Sequence, residues 1–229
     1  MCGRFSQSQP AEAIAQAFQV AEVPPLKPRF NIAPTQAVGA VLKPSGHKDR
    51  QFQMLHWGLI PRWAKDPKMG ARLINARAET VAEKPAFKSA FQRRRCLVVA
   101  DGFYEWQAQE NQKHKQPFYF RLKDGRPFAF AGLWEHWEDA NKEAIESCTF
   151  ITTEANELMQ PIHNRMPVIV APQDYDLWLD PEVKTPELLQ LLRPYSSDEM
   201  MAYPVSQAVN KPSNDSAQCI ENINTPSRH

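Results

Sequence analysis

The middle of the chain is a series of short apolar runs, each cut off by Gly, Pro, Asp or Asn before it reaches helix length. Such punctuation leaves little room for anything but short strands joined by tight connections. Residues 96–100 and 103–107 read as strands around Asp101-Gly102. Residues 117–122 and 127–133 read as a hairpin across Lys123-Asp124-Gly125-Arg126. Residues 37–43 and 51–57 form a similar pair turning at Pro44-Ser45-Gly46, and 147–153, 166–170 and 200–205 supply further strands. Helical spacing lies at the periphery. Ala11, Ile14, Ala15 and Phe18 follow it through Val20, and helices are expected over 172–179 and 185–193. Leu73 to Arg77 leads into weaker helices expected through about Phe91, and a short helix is expected up to Met159. Arg29-Phe30-Asn31-Ile32-Ala33-Pro34 is extended or turning, because a residue before proline is pushed out of helix space. The pattern predicts an α+β fold: a single domain around a curved, mostly antiparallel, barrel-like β-sheet with peripheral helices. The domain is expected over 2–209, followed by a polar, loosely held tail over 210–229.

The chain has 229 residues, 42% hydrophobic and 23% charged, which suits one ordinary globular domain. No apolar run is long enough to span a membrane, and the N-terminus lacks the basic and apolar regions of a secretory signal. A cytoplasmic protein is the expectation. The cysteines at 2, 96, 148 and 219 form no C-x-x-C pair, so neither a zinc site nor a dithiol redox motif is suggested. Cys96 and Cys148 sit in apolar runs and read as buried small hydrophobes. No metal or cofactor is implied. With a net charge of +1, any nucleic-acid surface must be a local concentration of Arg and Lys.

The most reactive feature is Met1-Cys2-Gly3-Arg4. Removal of Met1 would leave Cys2 with an α-amine and a thiol on adjacent carbons. Their reference pKa values are about 8 and about 8.5, so both are partly reactive near neutrality. Such an amine condenses with an aldehyde to an imine, and the thiol can then close a five-membered thiazolidine. Three further stretches sit beside strands without fitting a core pattern: Asn75-Ala76-Arg77, Glu105-Trp106 and His163-Asn164-Arg165. Aromatics flanking Glu105 would take its carboxylate out of water, the setting of a general acid. His163 could move a proton or be structural, and Asn75 could polarise a substrate oxygen or cap a turn. Arg4, Arg77 and Arg165 offer forked donors for phosphates, or for surface ion pairs. Trp63, Trp106 and Pro34 could lie against bases, or pack in the core.

Taken in order, Met1-Cys2-Gly3-Arg4-Phe5, Arg29 to Pro34, Trp57-Gly58-Leu59-Ile60-Pro61, Ile74 to Thr80, Ala100 to Trp106 and His163 to Pro167 resemble the SOS-response-associated peptidase (SRAP) family of abasic-site shielding proteins. The resemblance runs from Cys2 to about Val205. It implies recognition of abasic sites in single-stranded DNA and a covalent thiazolidine crosslink through Cys2, shielding the lesion, with lyase and self-processing peptidase activities alongside. It also implies a cytoplasmic protein, drawn to the nucleoid when bound to damaged DNA. By motif, Cys2 is the nucleophile, Asn75 holds amine and sugar, Glu105 is the acid/base, and His163 assists proton transfer. Arg4, Arg77 and Arg165 match phosphate-holding positions, and Asn31, Pro34, Trp63 and Trp106 match the DNA-facing surface.

The competing reading is an N-terminal-nucleophile peptidase or amidase, in which the thiol attacks a carbonyl and the amine acts as base. It needs an oxyanion hole, which the sequence does not display. A non-enzymatic single-strand binder would bind regardless of an abasic site. A monomer is expected, since a shielding protein needs no symmetric site.

Overall fold

The computed structural model describes residues 2–44, 46–110 and 114–224. Met1 and the turn residue Ser45 lie outside the described residues. In chain order the strands are β1 (Phe5–Gln7), β2 (Arg29–Ile32), β3 (Ala37–Leu42), β4 (Gln51–Trp57), β5 (Asn75–Arg77), β6 (Arg95–Ala100) and β7 (Gly102–Gln107). They continue as β8 (Gln116–Leu122), β9 (Phe128–Glu138), β10 (Ala144–Glu154), β11 (Arg165–Pro167), β12 (Ile169–Val170) and β13 (Met200–Pro204). The α-helices are α1 (Ala11–Phe18), α2 (Lys88–Arg93), α3 (Tyr175–Leu179) and α4 (Thr185–Gln190).

Strand pairing closes a ring. β4 pairs with β3, β3 with β6, β6 with β9 and β9 with β10, all antiparallel, and β10 returns to β4 in parallel. This mixed five-stranded barrel shares its core with a second, antiparallel sheet ordered β13-β8-β7-β1-β2. The predicted barrel-like α+β domain is thus the observed architecture.

The apolar runs follow from this layering. In β6 every residue is buried, because Cys96, Val98 and Ala100 face the core between the sheets while Leu97 and Val99 face the helices. The inner core is aromatic. Phe5 meets Trp57, Phe130 and Phe150 with ring centroids 5.1, 5.6 and 6.1 Å away. Burying a side chain such as Phe5 contributes about 2–3 kcal/mol. The helical layer is fastened by Arg95, whose guanidinium donates to the carbonyls of Phe91 and Gln92 at the end of α2 and of Trp178 and Asp180 at the end of α3. Burial pulls its pKa down to about 10.

Several expectations change. Between Arg77 and Phe91 the chain is mostly turns, with α-helix confined to α2. Residues 155–162 are turns rather than a helix. β9 and β10 extend to eleven residues each. The C-terminal segment is docked as far as Ile223, whose amide donates to Pro204 O, and is not loosely held. Asp215 accepts from the amides of Phe30 and Asn31 at 2.5 and 2.9 Å and from Arg29 Nε. Asn31 Nδ2 donates to the carbonyls of Val209, Lys211 and Asn214. Val209 and Cys219 complete a buried cluster with Tyr104 and Tyr119 on the outer face of the second sheet.

Candidate functional site

β7 alternates between two worlds. Phe103 and Glu105 share the face turned to the inner core, and Tyr104 and Trp106 share the face turned to the C-terminal segment. β1 runs antiparallel beside it, with Phe5 opposite Phe103 and the Tyr104 amide donating to Arg4 O at 3.0 Å. Cys2 and Gly3 therefore continue along Glu105 and Trp106. Cys2 is 0% exposed and Glu105 4%.

Cys2 is held at two points. Its Sγ donates to Arg4 O at 3.5 Å, and its carbonyl accepts from Asn75 Nδ2 at 2.8 Å. Burial pushes the thiol pKa far up, and the Glu105 charge pushes it further. The thiol is therefore neutral around pH 7, and Glu105 is electrostatically coupled to it. Asn75 sits on β5, which lies parallel to β10 with Asn75 opposite Phe150. The preceding carbonyl, Ile74 O, accepts from Trp57 Nε1 at 2.9 Å, so one indole packs against Phe5 and anchors the Asn75 strand. Asn75 Oδ1 is buried and has no hydrogen-bond partner among the described residues.

His163 precedes β11, which pairs with the end of β10. The Arg165 amide donates to His163 Nδ1 at 3.0 Å, which assigns the neutral ring's proton to Nε2. Arg165 O lies 3.2 Å from the same nitrogen and can accept from it when the ring is charged. The Gln107 side chain reaches Pro161 O at 3.0 Å, tying β7 to the loop that carries His163. The structure thus joins Asn75 to Cys2 by a hydrogen bond, sets Glu105 within Coulombic reach of the Cys2 thiol, and ties the His163 loop to β7.

The expected DNA-contact residues divide. Arg77 is exposed on β5 and Pro34 half-buried. Trp63 is 59% exposed and lines a cleft of about 520 Å³ with Lys65, Asp66, Lys68, Met69 and Arg72. That loop is pinned where Gly58, at φ 134°, passes Gly70: an added Cβ on Gly58 would lie 2.7 Å from Gly70 O. Asn31, expected on the DNA-facing surface, is instead fully buried, its amide committed to the C-terminal segment. Arg4 is half-buried and donates to Asn31 Oδ1, Val209 O and Asn210 O. Trp106 Nε1 donates to Asn210 Oδ1 at 2.7 Å. Arg165 forks onto Glu79. Sequence reasoning missed Asp215, Asn210 and Glu79. Only the last lay in a recognisable motif, and even there its partner is 86 residues away.

The family model for SOS response associated peptidase (SRAP) matches residues 1–212. The chain belongs to the SRAP family. It is 44% identical over 225 residues to the abasic site processing protein YoaM of Bacillus subtilis, covering 96% of this chain and 98% of that one. It is 33% identical over 227 residues to the abasic site processing protein HMCES of Xenopus tropicalis, covering 86% of this chain and 67% of that one. A crystal structure of a Bacteroides thetaiotaomicron protein superposes with a TM-score of 0.84 at 26% identity, covering 96% of this chain and 99% of that one. Among the described residues no helix is long and apolar enough to cross a membrane.

Proposed function

We propose that this SRAP protein processes abasic sites in single-stranded DNA by forming a covalent thiazolidine through Cys2 after loss of Met1. Support comes from the names carried by its relatives and, above all, from the seat of Cys2. The hydrogen bond from Asn75 to the Cys2 carbonyl fixes the residue that would bear the amine, beside the Glu105 carboxylate.

The chemistry begins with the amine. An abasic sugar is mostly a closed hemiacetal, and Glu105 and His163 supply the proton transfers that open it to the aldehyde. The neutral Cys2 amine adds to the aldehyde carbon, and the carbinolamine loses water to give an imine. The thiol adds to the imine carbon, its proton passes to the nitrogen, and the ring closes with a net loss of one water. If the thiol does not close the ring, the imine can promote β-elimination, which would appear as strand cleavage. Trp63 and its neighbouring lysines offer a stacking and phosphate surface for the flanking strand.

Intact mass spectrometry tests this reading. Purified protein should lack Met1 and gain the mass of a single-stranded oligonucleotide carrying one abasic site, less one water. A processed N-terminus with no adduct on reactive abasic DNA would overturn it.

A further inference from the structure

Thr152 of β10 pairs with Arg77 of β5 and also with Pro167 of β11, so β5 and β11 flank opposite edges of β10. Side chains bridge the two flanks. Arg165 Nη1 and Nη2 meet Glu79 Oε1 and Oε2 at 2.5 and 3.0 Å, an end-on fork. Arg165 Nη2 also donates to Thr152 O at 2.6 Å, the carbonyl that accepts from the Ala78 amide at 2.9 Å. Glu79 and Arg165 thus span the end of β10 above one shared carbonyl.

The backbone of Arg165 is what seats His163. Its N–H and its carbonyl both address His163 Nδ1, so the same residue can serve the neutral ring as donor and the charged ring as acceptor. Fixing the Arg165 side chain fixes that backbone. On Glu79's side of the strut, Asn75 lies four residues back on β5.

We propose that Glu79 is a positioning residue: through Arg165 it orients the His163 imidazole and holds it in register with Asn75. This rests on the crosslinking reading for its kinetic consequence but not for its structural one. Arg165 then acts as a strut, and its fork is already filled by a carboxylate before any phosphate arrives. The pair is partly solvent-exposed, with Glu79's side chain 53% accessible, so breaking it leaves the fold intact.

Glu79→Gln, His163→Ala and the double variant form the test. The nitrogen NMR signals of the His163 ring, read at fixed pH in the DNA-free protein, should show one pyridine-type and one pyrrole-type nitrogen in the parent chain. In Glu79→Gln they should collapse toward averaged values, with Tm moving by less than about 4 °C. The single-turnover crosslinking rate of Glu79→Gln should fall about tenfold, as expected for a misplaced reacting group. The double variant should be no slower than His163→Ala alone, because Glu79 acts through His163. Affinity for undamaged single-stranded DNA should stay within about twofold, since no phosphate ligand has been lost. Unchanged ring signals, or rate losses that multiply in the double variant, would overturn the proposal. So would tighter DNA binding at an unchanged rate, which would make Glu79 a mere competitor for the Arg165 fork. If the parent chain forms no crosslink, the proposed function fails while the ring signals still decide the role of Glu79.

Discussion

Replacing Asn75 with Ala separates stability from chemistry. The substitution removes one neutral, partly buried hydrogen bond to Cys2 O, worth about 1 kcal/mol net. It also removes Oδ1, a buried acceptor with no partner among the described residues, whose desolvation costs about 1–3 kcal/mol. The two effects oppose each other, so Tm should move by no more than about 4 °C in a chain of this size. The reaction loses more. Asn75 holds the carbonyl of the reacting residue, and losing that placement removes about 1–1.5 kcal/mol of transition-state stabilisation. At about 1.36 kcal/mol per tenfold, the crosslinking rate should fall about 5- to 13-fold. Thermal melting and single-turnover crosslinking on denaturing gels measure the two quantities on the same preparation. Asn75→Ala protein that crosslinks within threefold of the parent would refute the role of this contact.

Alkaline pH should unfold the protein through its cysteines. Burial raises the thiol pKa of Cys2, Cys96 and Cys148 above the ordinary value of 9.0. Below the unfolded pKa both states keep these protons and stability is unaffected. Above it the unfolded state releases protons that the folded state retains, so stability falls by about 1.4 kcal/mol per pH unit for each thiol, about 4 kcal/mol for the three. Urea unfolding at pH 8 and pH 10 would contradict this if the two curves coincide. Trp63→Ala should leave Tm unchanged, because the ring is exposed. It should weaken single-strand binding by about 1–3 kcal/mol, readable by fluorescence anisotropy. Equal affinities would remove Trp63 from the DNA surface.

How much of this was legible in the sequence depends on the range of the interactions. The strands around Asp101-Gly102 and across Lys123 to Arg126 were visible because local turn chemistry marks both ends, and they appear as β6, β7, β8 and the start of β9. β5 was hidden because it has three residues and exists only by parallel pairing with β10, about 75 positions later in the chain. The same limit applies to the C-terminal segment. Its composition is that of a loose tail, but Asp215 finds Arg29 and two amides 184 and 185 residues back. Within the site, the alternation of β7 could have separated Glu105 from Trp106 in advance, since adjacent strand residues face opposite ways. The burial of Asn31 carried no such signal: an asparagine that gathers three carbonyls of a distant segment looks, in sequence, like one waiting for a ligand.

The central claim, amine and thiol of Cys2 acting together on an aldehyde, is tested most directly by Cys2→Ser protein with Met1 removed. The parent chain should give an adduct with abasic single-stranded DNA that survives denaturation without reductant. The serine variant keeps the amine and loses the thiol, so its adduct should survive only when borohydride reduces the imine. A serine adduct as stable as the parent's, or a parent adduct that maps to a lysine, would contradict the account.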